Sequence, residues 1–185
     1  MVRRDNAGFT MIELLIVVII VSLIAAFAAP RINLTRYRVE GAMMAVSSTM
    51  FGAQRMAVTR QHDVIVLFDV PNQMMYVHED ANNNGDRDPG ERQRGYPLGE
   101  QVAFGLNGAV ARPMGSSAIT FTKTYQGMPA VVFHRVGSAS EAKGLYLTSR
   151  RANHPEDTRA IEVERSTGRV SWYRFGPPST WKRGF

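Results

Sequence analysis

Gly8-Phe9-Thr10-Met11-Ile12-Glu13 opens a stretch that continues almost without interruption in apolar residues to Ala29. Of the 21 residues from Phe9 to Ala29, only Thr10, Glu13 and Ser22 are polar. A helix rises about 1.5 Å per residue, so a segment of this length covers the ~30 Å hydrocarbon core of a bilayer. One carboxylate, Glu13, lies near its start. A charge at the centre of a membrane helix costs roughly 2.5–3.5 kcal/mol on insertion scales and less near an end, so an intramembrane ionisable residue marks a functional site by default.

Two readings of the segment compete. A secretory signal peptide has a shorter apolar core, of about 7–15 residues, followed by a small-residue cleavage site, and Ala25-Ala26-Phe27-Ala28-Ala29 offers such a site. Here, however, the run is long, and the small residue Gly8 precedes it. That order resembles the class III leader of type IV prepilins and type II secretion pseudopilins. The resemblance implies a leader over residues 1–8, cut between Gly8 and Phe9 by a prepilin peptidase on the cytoplasmic side. The same peptidase/methyltransferase would N-methylate Phe9. It also implies assembly roles for Glu13, at the fifth mature position, and for Pro30, at the twenty-second, where the helix often bends.

Cleavage gives Glu13 a physical rationale. Removal of Met1 to Gly8 creates a cationic amine at Phe9, and opposite charges attract strongly where the dielectric is low. In the family this pairing is thought to act between neighbouring subunits and to set register; the plainer reading is that Glu13 snorkels to the interface. Charge leaves orientation open. Arg3 and Arg4 precede the helix, but Arg31, Arg36 and Arg38 follow it, and a positive-inside count places the C-terminal side in the cytoplasm. The resemblance implies the opposite: a single-pass inner-membrane protein with its leader in the cytoplasm and its C-terminal domain in the periplasm, later built into a filament.

The chain has 185 residues, enough for one anchor helix and one modest globular domain. It contains no cysteine, which excludes disulfides, thiol catalysis and cysteine-based zinc sites. The net charge is +6, and +5 after loss of a leader carrying Arg3, Arg4 and Asp5. Such an excess attracts nucleic acid, anionic lipid or acidic partners only modestly.

Residues 30–60 change period. Val39, Met43, Val46, Met50, Ala53 and Ala57 recur at steps of three and four, predicting a helix with one core-facing stripe and with Arg36, Glu40 and Arg55 turned away. Methionines in such a stripe fill cores more often than they line partner grooves. Residues 61–185 turn to strand signals. Strands are expected at Asp63–Asp69, Gln73–Glu79, Gln101–Phe104, Ala118–Thr122, Ala130–Val136, Gly144–Thr148, Arg159–Glu164 and Arg169–Phe175, with turns at Pro71-Asn72 and Ser166-Thr167-Gly168. One long helix followed by antiparallel strands predicts an α+β fold with a sheet packed on the second half of the helix. This order is similar to the pilin fold. The strand number, the Arg55…Val58…Arg60 helix end, the acidic loop and the closing Gly168-Arg169-Val170 hairpin resemble the minor pseudopilins of the GspH/FimT group.

Two segments of the β-rich region carry further chemistry. The loop from Asp80 to Glu91 fits the calcium-loop pattern D-x-[DN]-x-[DN]-G-x5-E through Asp80, Asn82, Asn84, Gly85 and Glu91. Asp80, Asn82, Asn84, Asp86, Asp88 and Glu91 are therefore candidate ligands for Ca2+. The segments around the loop do not read as the helices of an EF-hand. An Asx-rich connection between strands accounts for the same residues through turn chemistry alone. Toward the C-terminus, Arg165, Arg169, Arg174, Lys182 and Arg183 interleave with Trp172, Tyr173, Phe175 and Trp181, a composition that suits phosphates and stacked bases. FimT-like minor pilins that help DNA uptake have basic C-terminal regions. Strand aromatics are nonetheless usually core, and the arginines beside them usually solvated.

Enzymatic signatures are lacking. His62, His78, His134 and His154 form no spaced metal motif, and the sequence contains no nucleophile elbow, P-loop or dinucleotide fingerprint. The expectation is a non-enzymatic minor pseudopilin, with other pilin or pseudopilin subunits, the processing peptidase and membrane lipid as partners. It would assemble into the pseudopilus, or its tip, of a type II secretion system. The rival expectation is a type IV pilus subunit that binds DNA.

Overall fold

The structure, a computed structural model, describes residues 9–28 and 34–184. The leader 1–8, with Gly8, and the segment 29–33, with Pro30, lie outside the described residues. The chain divides into two compact units, one ending at Leu34 and the other beginning at Thr35.

In the first unit, α1 spans Met11–Ala28. Its 18 residues cover about 27 Å, and the predicted span 9–29 runs past it at both ends. Among the described residues no helix is long and apolar enough to cross a membrane. Every described side chain of α1 is exposed. An apolar surface on all sides of a helix needs a surround other than the helix itself.

The second unit takes in α2 (Leu34–Arg60) from Thr35 onward, and this helix buries Val39, Ala42, Met43, Val46, Met50, Ala53 and Ala57. This is the predicted stripe with Ala42 added. Beyond it, the described residues form ten strands in two antiparallel sheets. The first has the order β3-β2-β1-β6-β5, with β1 Asp63–Asp69, β2 Met74–Asp80, β3 Gln93–Pro97, β5 Thr124–Tyr125 and β6 Met128–Phe133. The second has the order β10-β9-β8-β7-β4, with β4 Val102–Phe104, β7 Gly144–Ser149, β8 Arg159–Val163, β9 Val170–Gly176 and β10 Thr180–Arg183. The α+β class stands, but the single expected sheet is two. The α2 stripe shares one core with Val64, Val66 and Phe68 of β1 and with Leu145, Leu147 and Ile161 of the second sheet.

Several boundaries differ from expectation for identifiable reasons. Ala118–Thr122 is not a strand; Ile119 makes a single bridge to Leu145, while Thr120 exchanges bonds with Gly144 through its hydroxyl. Strands β3, β5 and β10 were not expected. β3 is polar and carries Gly95 and Pro97 at a sheet edge, where proline is tolerated. β5 has two residues, and β10 follows Pro177-Pro178. Glu40 does not turn away from the core. Its Oε2 accepts a bond of 2.8 Å from Nε of Arg159, a fully buried residue on β8. Burial pulls the Arg159 guanidinium below the ordinary arginine value, and Glu40 opposes that shift. Close packing fixes Gly144 as well: a Cβ there would lie 2.0 Å from the carbonyl oxygen of Ile161.

Candidate assembly site, acidic loop and basic segment

Thr10 and Glu13 bond reciprocally at the start of α1. The Glu13 N–H donates to Oγ1 of Thr10 at 3.3 Å, and the Thr10 N–H donates to Oε2 of Glu13 at 3.4 Å. This is a capping box, which satisfies two amide donors that the first turn would otherwise leave open. It was legible in the sequence as Thr10-Met11-Ile12-Glu13, a T-x-x-E spacing that the reading of Glu13 as a lone charge overlooked. The carboxylate also lies at the positive end of the helix dipole. Ser22, the third polar residue of the segment, donates its hydroxyl to the Val18 carbonyl at 2.7 Å. All three polar side chains of residues 9–28 thus find partners within the helix.

The loop between β2 and β3 is closed by its own side chains. Asp80 accepts the amides of Asn84 at 3.1 Å and Gly85 at 2.8 Å. Asn82 and Asn84 accept the amides two residues onward, and both donate their Nδ2 to Oδ2 of Asp88. Glu91 accepts the Ala81 and Asp88 amides at 2.9 and 3.0 Å. The Asp88 amide is the main cause of a Glu91 carboxyl held below the ordinary value, burial opposing it. His78, fully buried on β2, places Nε2 3.1 Å from Oε2 of Glu91 and stacks on Tyr125. Burial, with Asp80 and Glu91 nearby, pushes the Tyr125 phenol up to about 12. Asp86 alone of the six candidate ligands offers no side-chain bond here. Among the described residues no group of three or more His, Asp or Glu is arranged to hold a metal ion. The turn chemistry of an Asx-rich connection describes these bonds.

The basic segment is divided by sheet register. Arg174 on β9 lies opposite Lys182 on β10, while Arg183 lies opposite Tyr173. Neighbouring positions on a strand face opposite sides, so Arg174 and Lys182 share one face. Arg169 and Arg183 border a concavity on the other with Glu162, Glu164 and Ser171. Arg165 lies in the β8–β9 turn. All five side chains are exposed, but they do not form one stripe. The aromatics beside them are already engaged. Trp172 packs on the core and Phe175 is buried. Trp181 donates Nε1–H to the Val110 carbonyl at 2.8 Å, and Tyr173 lies under the Arg112 guanidinium, 3.5 Å from the ring centre. That guanidinium is also held in a fork by Glu162, with contacts of 2.5 and 3.2 Å.

Three further histidines lie beside acids in pairs distributed over the domain, and two of them are within hydrogen-bond distance. His134 is 2.8 Å from Asp63, His154 is 2.8 Å from Glu156, and His62 is 3.8 Å from Glu79. Each pair lies at a strand end or turn.

The minor pseudopilin EpsH from the type II secretion system of Vibrio cholerae is similar in two solved structures. In one, the identity is 11%, the TM-score is 0.49, and the match covers 74% of this chain and 97% of that one. In the other, the identity is 12% and the TM-score 0.38, over 80% of this chain and 94% of that one. No curated protein matches the chain. Residues 3–29, which hold Gly8, Phe9 and the Thr10–Glu13 capping box, match the model of the prokaryotic N-terminal methylation motif.

Proposed function

We propose that this chain is a pilin-like subunit of a type II secretion pseudopilus, inserted through residues 9–29 and acting by assembly rather than catalysis. A prepilin peptidase/methyltransferase cuts between Gly8 and Phe9 on the cytoplasmic side and methylates Phe9. The domain beyond residue 34 stands in the periplasm, and the mature subunit enters the filament or its tip beside other pilin-like subunits. The observation that carries this reading is the methylation motif over residues 3–29. The capping box and the Ser22–Val18 bond support it. Hydrocarbon leaves unsatisfied polar groups very costly, and the polar side chains of this segment are satisfied inside the helix.

Glu13 keeps capacity for a second partner. An ionised carboxylate offers two oxygens with several acceptor sites, and the box uses only Oε2. A methylated ammonium from a neighbouring subunit fits the remainder. Gln also serves at the third position of a capping box, so Glu13→Gln removes the charge and keeps the cap, whereas Glu13→Ala removes both. Cross-linking of the variants to neighbouring subunits in membranes tests the pairing. Both variants should insert and be processed, yet both should lose incorporation by about tenfold or more, the size expected for breaking an ion pair at low dielectric. Incorporation of Glu13→Gln at the wild-type level would overturn the role assigned to its charge.

A further inference from the structure

The face of the second sheet that packs on α2 ends in a row of like charges. Arg159 on β8 stands directly opposite Arg174 on β9, and Arg174 directly opposite Lys182 on β10. Residues opposite one another on antiparallel strands share a face, and like charges placed in this way repel. Glu40 bonds to Arg159 at the inner end of the row. The acids of the turn before β8 are engaged elsewhere, Glu156 with His154 and Asp157 with Ser149 and Arg151. The side chains of Arg174 and Lys182 are exposed and bond to no group among the described residues. Three cations of the sheet thus share one bonded carboxylate.

The buried member of the row shows the same deficit. Arg159 is fully buried, and its Nη2 has no hydrogen-bond partner. Burial lowers its hold on its proton and Glu40 opposes that, but the like charges of Arg36 and Arg174 add to the loss. An anion at the open end of the row would offset this repulsion.

Position selects the anion. Glu40 meets the row in the second turn of α2, whereas Gln54, further along the helix, donates to the Gly137 carbonyl and packs on Gly168 of the β8–β9 turn. At about 1.5 Å per residue these contacts are about 21 Å apart along α2. The row therefore lies at the end where the chain enters the domain from the apolar segment. Tyr37, 72% exposed in the same turn as Arg36, is of the type enriched at headgroup level in membranes. We propose that Arg174 and Lys182, beside the Arg159–Glu40 pair, bind the phosphate of an anionic phospholipid headgroup and so tie the second sheet to the bilayer surface. This rests on the subunit reading for the presence of a membrane at that end of the domain.

Titration of the full chain in neutral detergent tests the site, followed by the fluorescence of Trp172 and Trp181. The probes are dihexanoyl phosphatidylglycerol, dihexanoyl phosphatidylcholine, inorganic phosphate and a short DNA duplex. Phosphatidylglycerol should bind at least about tenfold more tightly than phosphatidylcholine. Arg174→Gln with Lys182→Gln should weaken it by about tenfold or more. Arg169→Gln with Arg183→Gln removes the same charge from the other face and should weaken it by less than about threefold. Without lipid, Arg174→Gln should raise the melting temperature, because it relieves the repulsion of Arg159. Equal binding of the two lipids, equal losses in the two double variants, or a lower melting temperature for Arg174→Gln would each overturn the proposal. Phosphate or DNA binding as tightly as phosphatidylglycerol would overturn it too, giving the row to a free anion or to nucleic acid. Processing at Gly8–Phe9 is untouched by these outcomes, so the subunit reading fails only on its own evidence.

Discussion

Helix α1 exposes every side chain described on it, whereas α2, only a few residues further along the chain, buries seven of its 27. The contrast shows that helicity and apolar content do not by themselves determine where a helix resides. α1 is apolar all round, and its polar side chains bond to its own backbone. α2 is polar enough for water yet presents a stripe to two sheets through Met43, Val46 and Met50. The first helix is built for surroundings supplied by others, the second for a core supplied by its own chain.

That contrast can be broken by unfolding the full chain in detergent, followed by the fluorescence of Trp172 and Trp181, both in the second sheet. Met50→Ala should cost about 3–4 kcal/mol, since it leaves a cavity at a fully buried site. Ile19→Ala, on an exposed position of α1, should change the same transition by less than about 0.5 kcal/mol. Comparable losses would mean that α1 shares the domain's cooperative unit.

A smaller effect sharpens the role of α2. Glu40→Ala strands a buried guanidinium and should cost about 2–3 kcal/mol; this is below the cost for a fully buried pair because the Glu40 side chain is 24% exposed. Arg159→Met should cost less, because the partly exposed carboxylate left behind can be rehydrated. The reverse order would show that Arg159 matters for its packing and not for its charge.

The smallest effect concerns the acidic loop, remote in sequence from both helices. The folded Glu91 carboxyl titrates below the ordinary 4.5. Its stabilisation is therefore fully present above that value and is lost as the pH falls through the lower folded one. Glu91→Gln should lower the melting temperature at about pH 7, and the gap should narrow toward about pH 3. With its carboxylates engaged by loop amides, the wild-type chain should melt at the same temperature in millimolar-range calcium and in chelator. A calcium-dependent rise would show the Asp80–Glu91 loop to be a cation site.

What could be read in the sequence was what repeats locally. The α2 stripe follows from spacing, and β1 matches its expected limits because five consecutive apolar residues between two aspartates have few other readings. Pairing over long distances was not legible. Glu40 meets a partner 119 positions away, and nothing near Glu40 announces it. The division into two sheets is equally hidden. Leu67 and Ile65 of β1 pack in one cluster and Val64, Val66 and Phe68 in another, so a strand buried on both faces shows no alternation. At the candidate site the cap was visible as T-x-x-E, and the residues proposed for processing, Gly8 and Phe9, and for assembly, Glu13, stood in one local motif. The split of Arg174 and Lys182 from Arg169 and Arg183 required the β9–β10 register.

The central claim is that the N-terminal segment is processed for assembly. Mass spectrometry of the mature N-terminal peptide, from chain purified out of membranes that contain the processing peptidase, tests it most directly. The account predicts a chain beginning at Phe9 with one added methyl group on its amine. A chain beginning at Met1, or an unmethylated one beginning at Arg31 after cleavage behind Pro30, would contradict it.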